Sequence, residues 1–295
     1  MSETPEQLAR RSGRHSWLEH PLLAQRYGQR GLIDGLRWEA WVTARLGEPP
    51  RRSLELQCGS GARSLFLFEQ GLSHSIDGVD ARADLIEAGE RSRDECRAPD
   101  RFRLLDVQTQ TLPAERYDLV FVCHALQDVV ALEHTLEQAH RALTPRGLFV
   151  FEGYAGPSRF QWTDEQQALV QSLTALLPDH LAQFRWDARK TREGRPDRAA
   201  VAASSPFGAI RADEIVPLIE RQFEVVTVRR LGGTLQNLLY NGIIHNFSDD
   251  EPESLRVLNA VADLEDTLID AGRLPSDFQL IIGRRRDRNP MLRAR

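Results

Sequence analysis

The period of apolar and polar positions changes twice along the chain and divides it into three stretches. Trp17, Leu22, Leu23 and Tyr27, then Leu36, Trp38, Trp41 and Leu46, recur at spacings that suit short amphipathic helices, behind a polar stretch at residues 1–15 that reads as frayed. From Arg52 the pattern becomes strand and helix in alternation. Strands are expected over Ser53 to Gln57, Ser75 to Val79, Arg101 to Leu105, Tyr117 to Cys123 and Leu148 to Phe151. Helices fall between them: after Gly61, over Ala83 to Cys96 and near Leu132 to Leu143. Such alternation with short connections builds a parallel sheet with right-handed crossovers, and it leaves a ligand crevice at the carboxyl ends of the strands.

After Phe151 the alternation stops. A helix is expected over Thr163 to Leu177, then a polar, proline-bearing segment over Asp187 to Pro206 that reads as mobile. A strand over Phe223 to Leu231, helices over Gly233 to Asn246 and Pro252 to Ala271, and a last strand over Phe278 to Gly283 complete the chain. The expected organisation is an N-terminal helical cap over residues 1–50, an α/β core over 51–155, and an inserted helical lid with the last two strands of the sheet over 156–295.

Composition narrows the class. A chain of 295 residues with 41% hydrophobic residues can bury one full α/β core and still have about a hundred residues for additions. The longest apolar runs resemble Leu119 to Cys123, far short of the roughly 20 residues that span a bilayer, so no membrane association is expected. The first thirty residues lack the pattern of a secretory signal, and the expected location is cytoplasmic. Cys58, Cys96 and Cys123 have neither an even count nor metal-ligand spacing, which points to reduced thiols and no metal site. A net charge of −5 gives no general attraction to phosphate backbones, and Arg284 to Arg286 is a short basic run, so nucleic acid is not an expected partner.

The chemistry-bearing residues lie at strand ends. Leu54-Glu55-Leu56-Gln57-Cys58-Gly59-Ser60-Gly61 is a hydrophobic strand that ends in small residues and opens a helix, a turn that lets a ligand approach the backbone closely. The next strand ends at Asp80, about twenty positions after Gly61, the offset at which a carboxylate can take both hydroxyls of a ribose. Asp106, after the third strand, can accept from an adenine amino group or cap a turn. The fourth strand runs into His124-Ala125-Leu126-Gln127-Asp128, and the fifth follows a turn at Leu143-Thr144-Pro145-Arg146-Gly147.

Leu54 to Gly61, Asp80, Asp106, Tyr117 to Val129 and Leu143 to Glu152 together resemble the successive motifs of class I S-adenosylmethionine-dependent methyltransferases, over roughly residues 30 to 155. Gly156 to Trp162, Gly232-Gly233-Thr234, Asn241-Gly242-Ile243 and Leu274 to Phe278 are similar to a bacterial group within that superfamily, some of whose members are linked to glycan biosynthesis. The resemblance implies a Rossmann-like sheet with S-adenosyl-L-methionine as cofactor. By it Glu55, Gln57, Gly59 and Gly61 line the methionine and ribose side, Asp80 binds the ribose, Asp106 the adenine, and His124 lies near the sulfonium.

Two positions depart from the family pattern: Gln57 stands where glycine is usual, and Gln127-Asp128 where a histidine pair often stands. Gln57 costs about 1 to 2 kcal/mol if the backbone needs positive φ. At ordinary negative φ it can turn its amide away from the pocket, and that is the expected state. His124 and Glu152 are the candidate general bases, with Tyr154 and Arg159 as orienting groups. Phe160 and Trp162 suggest core packing before a sugar platform, and Arg189, Lys190 and Arg192 a solvated face. The expected function is methyl transfer to a small-molecule or glycan-type acceptor, at oxygen. The alternative is a cofactor-binding scaffold or regulator that has lost transfer. A nucleotide-dependent oxidoreductase is disfavoured, because Cys58-Gly59-Ser60-Gly61 lacks the spaced third glycine of a dinucleotide turn.

Overall fold

Seven strands, β1 (Ser53–Leu56), β2 (Ile76–Asp80), β3 (Arg101–Leu104), β4 (Tyr117–Cys123), β5 (Leu143–Tyr154), β6 (Phe223–Gly232) and β7 (Phe278–Arg285), form one sheet in the order β3-β2-β1-β4-β5-β7-β6 in a computed structural model of the chain. The structure describes residues 15–286 except Asp100 and Asp187. The polar start of the chain, read above as frayed, lies outside the described residues up to residue 14. Ten α-helices are described: α1 (Pro21–Arg30), α2 (Trp38–Leu46), α3 (Ala62–Glu69), α4 (Ala83–Cys96), α5 (Leu132–Ala142), α6 (Asp164–Leu176), α7 (Arg198–Ser204), α8 (Ile215–Gln222), α9 (Gln236–Tyr240) and α10 (Pro252–Asp270). Among the described residues no helix is long and apolar enough to cross a membrane.

The central strands are parallel, with Leu54 opposite Asp77 on one side and opposite Val120 on the other. All four residues of β1 are buried, and Val120, Phe121 and Val122 of β4 are fully so, as strands covered on both faces require. The chain steps outward from β1 to β3, then returns to the far side of β1 as β4. This reversal splays the connections after β1 and β4 and opens a crevice at their carboxyl ends. Tyr117 pairs with Leu143 but Leu119 pairs with Leu148, so the expected turn at 144–147 is a bulge inside the long strand β5.

The chain divides into two compact units. One, the sheet unit, comprises Leu32–Ser158, Ser204–Arg229 and the chain from Gln279 onward; the other, the helical unit, comprises the segments up to Gly31, Arg159–Ala203 and Arg230–Phe278.

In the helical unit the Trp17 ring meets Tyr27 and Phe278 edge-on at 5.9 and 5.7 Å. Arg30 ties α1 to Asp266 and Asp270 of α10 at 3.0 and 2.9 Å. Glu265 of α10 is fully buried and accepts from the backbone N–H of Gly233, Leu235 and Gln236 and from the Gln236 amide, all within 2.9 Å. Burial and the nearby Glu265 charge push Asp277 up to about 7, against a hydrogen bond donated by Gln166.

Two expectations change in this unit. The helix expected over Gly233 to Asn246 is only the five residues of α9 and a separate 3-10 turn over Ile244–Asn246, because the Tyr240 carbonyl takes Ile243 N–H in a tight turn. Lys190, expected on a solvated face, is fully buried: its Nζ donates to the Leu238 and Asn241 carbonyls at 2.7 and 2.9 Å and pairs with Glu193 at 2.6 Å. A long cation can be buried where carbonyls and one carboxylate surround its head. The segment expected to be mobile carries α7. Trp162 is buried, as core packing requires.

Candidate functional site

The turn after β1 is where the backbone is most constrained. Gln57 has φ +52°, correcting the expectation of ordinary negative φ, and Gly59 and Gly61 follow at +56° and +70°. Non-glycine backbone in the left-handed region is disfavoured by contact of Cβ with the carbonyl, so this position carries strain. The two glycines serve different ends. A Cβ on Gly61 would meet the Phe102 ring at 2.2 Å, whereas one on Gly59 would find only Leu85 Cδ1 at 3.9 Å. Gly61 is thus required by packing, and open space lies over Gly59.

Asp80 closes this turn. Its Oδ2 accepts Gly59 N–H at 3.0 Å and its Oδ1 accepts Arg82 N–H at 2.9 Å. Each carboxylate oxygen therefore has one backbone partner and retains a second lone pair. Glu55, buried in β1, accepts from the Ser64 hydroxyl of α3 at 2.5 Å. Asp106 stands apart and organises its own turn: Oδ1 accepts Gln108 N–H at 2.9 Å and Oδ2 accepts the Thr109 hydroxyl at 3.3 Å. The turn-capping role considered for it is therefore present.

The ends of β4 and β5 bring the two candidate bases together. His124 N–H donates to the Glu152 carbonyl at 2.7 Å, and His124 Nε2 lies 3.9 Å from Glu152 Oε1. His124 also has left-handed backbone, φ +53°. Glu152 is buried, and its Oε2 accepts both the Trp38 indole N–H at 2.8 Å and Arg63 Nη2 at 2.9 Å. Arg63 continues to Glu39, buried in α2, at 3.3 Å, and its guanidinium lies 5.4 Å from the centre of the Trp38 ring. Burial opposes the Arg63 charge, but the carboxylates Glu152, Glu39 and Glu55 around it outweigh burial and raise its pKa.

His124 is shifted the other way. Surrounding protein disfavours its protonated form, Glu152 favours that form and Arg63 disfavours it, and the net effect lowers its pKa, so the imidazole is neutral at neutral pH. Burial pushes the Cys123 thiol well above its ordinary range despite Arg63, so Cys123 is a protonated wall of the site and no nucleophile.

Residues 54–151 match the family described as Methyltransferase domain. Over these residues the chain is similar to a methyltransferase domain. A 2-phytyl-1,4-naphtoquinone methyltransferase from Nostoc sp. is 27% identical over 145 residues, covering 48% of this chain and 62% of that protein. The chain thus spans less than two thirds of that relative's length. Among solved structures, geranyl diphosphate C-methyltransferase from Streptomyces coelicolor superposes with a TM-score of 0.51 at 13% identity, over 84% of this chain and 77% of that one. A geranyl diphosphate methyltransferase in complex with S-adenosylmethionine gives 0.52 at 14% identity, over 84% of each chain. At such identities these two likenesses concern the fold.

The resemblance implies S-adenosylmethionine as methyl donor, and the residues around the turn after β1 fit it. The space over Gly59, the remaining lone pairs of Asp80, and buried Gln57 Oε1 and Arg63 Nε atoms without a protein partner are features a bound ligand completes. Trp38, Glu39, Ser64, Arg63 and Cys123 were absent from the sequence-based site. Arg63 alone left a signal: a cation in the first turn of a helix opposes the helix dipole and so implies a carboxylate partner. Tyr154, expected to orient substrate, is buried and donates its hydroxyl to the Pro157 carbonyl at 3.0 Å. Arg159 belongs to the helical unit.

Proposed function

We propose that this chain is an S-adenosylmethionine-dependent methyltransferase of the cytoplasm that methylates a small-molecule or glycan-type acceptor at oxygen. The observation that carries the reading is the His124–Glu152 pair, fixed through Trp38 and Arg63 at the carboxyl ends of adjacent strands next to the donor turn.

Methyl transfer is an in-line displacement. As the acceptor oxygen bonds to the methyl carbon, the carbon–sulfur bond breaks and the hydroxyl proton must leave, so alignment and proton removal are the two tasks of the protein. Asp80 would hold the ribose and Asp106 the adenine, and the turn over Gln57 to Gly61 would line the methionine and ribose side. His124, neutral at neutral pH, accepts the proton on Nε2, and the Glu152 carboxylate, positioned by Arg63 and Trp38, stabilises the imidazolium that forms.

The test is transfer of labelled methyl from S-adenosylmethionine to a panel of hydroxyl-bearing small molecules and glycans. Label should appear in a product that resists mild hydrolysis as an ether does. Label found only on carbon, or no transfer to any acceptor from a donor that binds, would overturn the oxygen reading or the enzyme reading respectively.

A further inference from the structure

Three side chains with metal-ligating atoms converge in the helical unit: His180, from a 3-10 turn over Asp179–Leu181, and Glu251 and Glu253, from the start of α10. One ligand atom of each lies within 4.8 Å of the other two, and His180 and Glu251 are exposed, so an ion can reach them. His180 Nε2 stands 3.4 Å from Glu253 Oε2, longer than an ordinary N–H···O bond. Two atoms held by one tetrahedral zinc ion are about 3.4 Å apart, because each lies about 2.1 Å from the metal. The pair therefore has the spacing of two ligands on one ion.

Carboxylates at the start of a helix are favoured by its dipole and need no metal for that. Two observations go further. Asp266 and Asp270 of the same helix pair with Arg26 and Arg30, whereas no arginine or lysine among the described residues pairs with Glu251 or Glu253. The ligand groups are also held in place from behind. The buried Ser254 hydroxyl donates to Glu251 Oε2 at 2.9 Å and accepts Ser248 N–H at 3.2 Å. Asn246 Nδ2 donates to the Leu181 and Gln183 carbonyls at 3.1 and 2.6 Å, which fastens the turn that carries His180. Such outer hydrogen bonds orient metal ligands.

We propose that His180, Glu251 and Glu253 form a binding site for a divalent transition-metal ion, zinc foremost, with the remaining coordination position taken by water. An imidazole nitrogen beside two carboxylates suits zinc and its neighbours, whereas magnesium and calcium favour oxygen ligands alone. The ion supplies the counter-charge that the two carboxylates lack and ties the His180 turn to the first turn of α10. Binding is then coupled to the stability of the helical unit and does not depend on methyl transfer.

The test is calorimetric titration of the chelator-treated, untagged full chain with zinc chloride, together with thermal melting with and without the metal. The wild type should bind one zinc ion per chain at this site and melt about 3 to 8 °C higher when zinc is about a hundredfold above its Kd. His180→Ala and Glu253→Gln, each shown to be folded by melting without metal, should bind zinc at least about tenfold more weakly, since loss of an outer hydrogen bond alone costs that much. Magnesium or calcium chloride at the same concentration should leave the melting temperature unchanged. A wild type that binds no zinc, or variants that bind it as tightly as the wild type, would overturn the proposal. Magnesium or calcium binding as tight as that of zinc would also overturn it, by marking an unselective acidic surface.

Discussion

Glu265 and Glu152 are both buried carboxylates, one in each compact unit, and they are treated differently by their surroundings. Glu265 is saturated: three backbone N–H groups and one amide fill its two oxygens. Glu152 is held on one side only, with Trp38 and Arg63 on Oε2, while Oε1 faces His124 across 3.9 Å. A carboxylate whose acceptor capacity is filled by backbone fixes the fold of a turn; one fixed on a single oxygen is positioned and remains able to interact. Burial alone does not distinguish them.

The comparison predicts opposite phenotypes. Glu152→Gln and His124→Ala should each lower kcat by about 10² to 10⁴, the range for loss of a general base or its partner, with the melting temperature little changed. Steady-state kinetics with the acceptor found by methyl transfer, alongside thermal melting, checks both halves. Glu265→Ala should do the reverse. It leaves three buried N–H groups unsatisfied and should cost about 3 to 5 kcal/mol, lowering the melting temperature by on the order of 10 °C. If Glu265→Ala instead melts like the wild type, saturation is no sign of a structural role.

Asp277 sharpens the contrast within the helical unit. Its pKa is about 7 in the fold against an ordinary value of 3.8, so the folded protein binds a proton that the unfolded chain releases. Its contribution is fully present below about pH 4 and is lost as pH rises to about 7, a loss on the order of 2 to 4 kcal/mol. Denaturant titrations of Asp277→Asn should show that slope removed. The smallest effect is expected at Arg63. Its charge lowers the His124 pKa and its removal leaves Glu152 and Glu39 less compensated, so Arg63→Gln should raise that pKa. The acid limb of the kcat/KM profile should then move to higher pH, with activity lost more at pH 6 than at pH 8. An unmoved limb would assign it to a group other than His124.

The sheet was legible because its signals are local. Continuous apolar runs at Leu54 and Tyr117 to Cys123 report strands buried on both faces, and the spacing of Gly61 and Asp80 reports one strand–helix–strand unit. The places of Asp80, His124 and Glu152 at strand ends were readable for the same reason. The Arg63–Trp38–Glu39 support was not, because its members come from two helices and meet only through tertiary packing. Gln57 was misjudged because left-handed φ is rare for a non-glycine residue, and the turn geometry that imposes it is absent from the sequence pattern. Lys190 was misjudged because a charged run normally marks a solvated face, and the carbonyls of Leu238 and Asn241 that receive it lie about fifty residues away.

The central claim, that the turn after β1 and the end of β2 hold a methyl donor, is tested most directly by calorimetric titration of wild-type and Asp80→Ala protein with S-adenosylhomocysteine. The wild type should bind with a stoichiometry of one per chain. Asp80→Ala, folded by melting, should bind roughly ten- to a hundredfold more weakly, because the carboxylate grips two ribose hydroxyls with charge-assisted bonds of about 1.5 to 3 kcal/mol. No heat from the wild type, or equal affinity in the two proteins, would contradict the account.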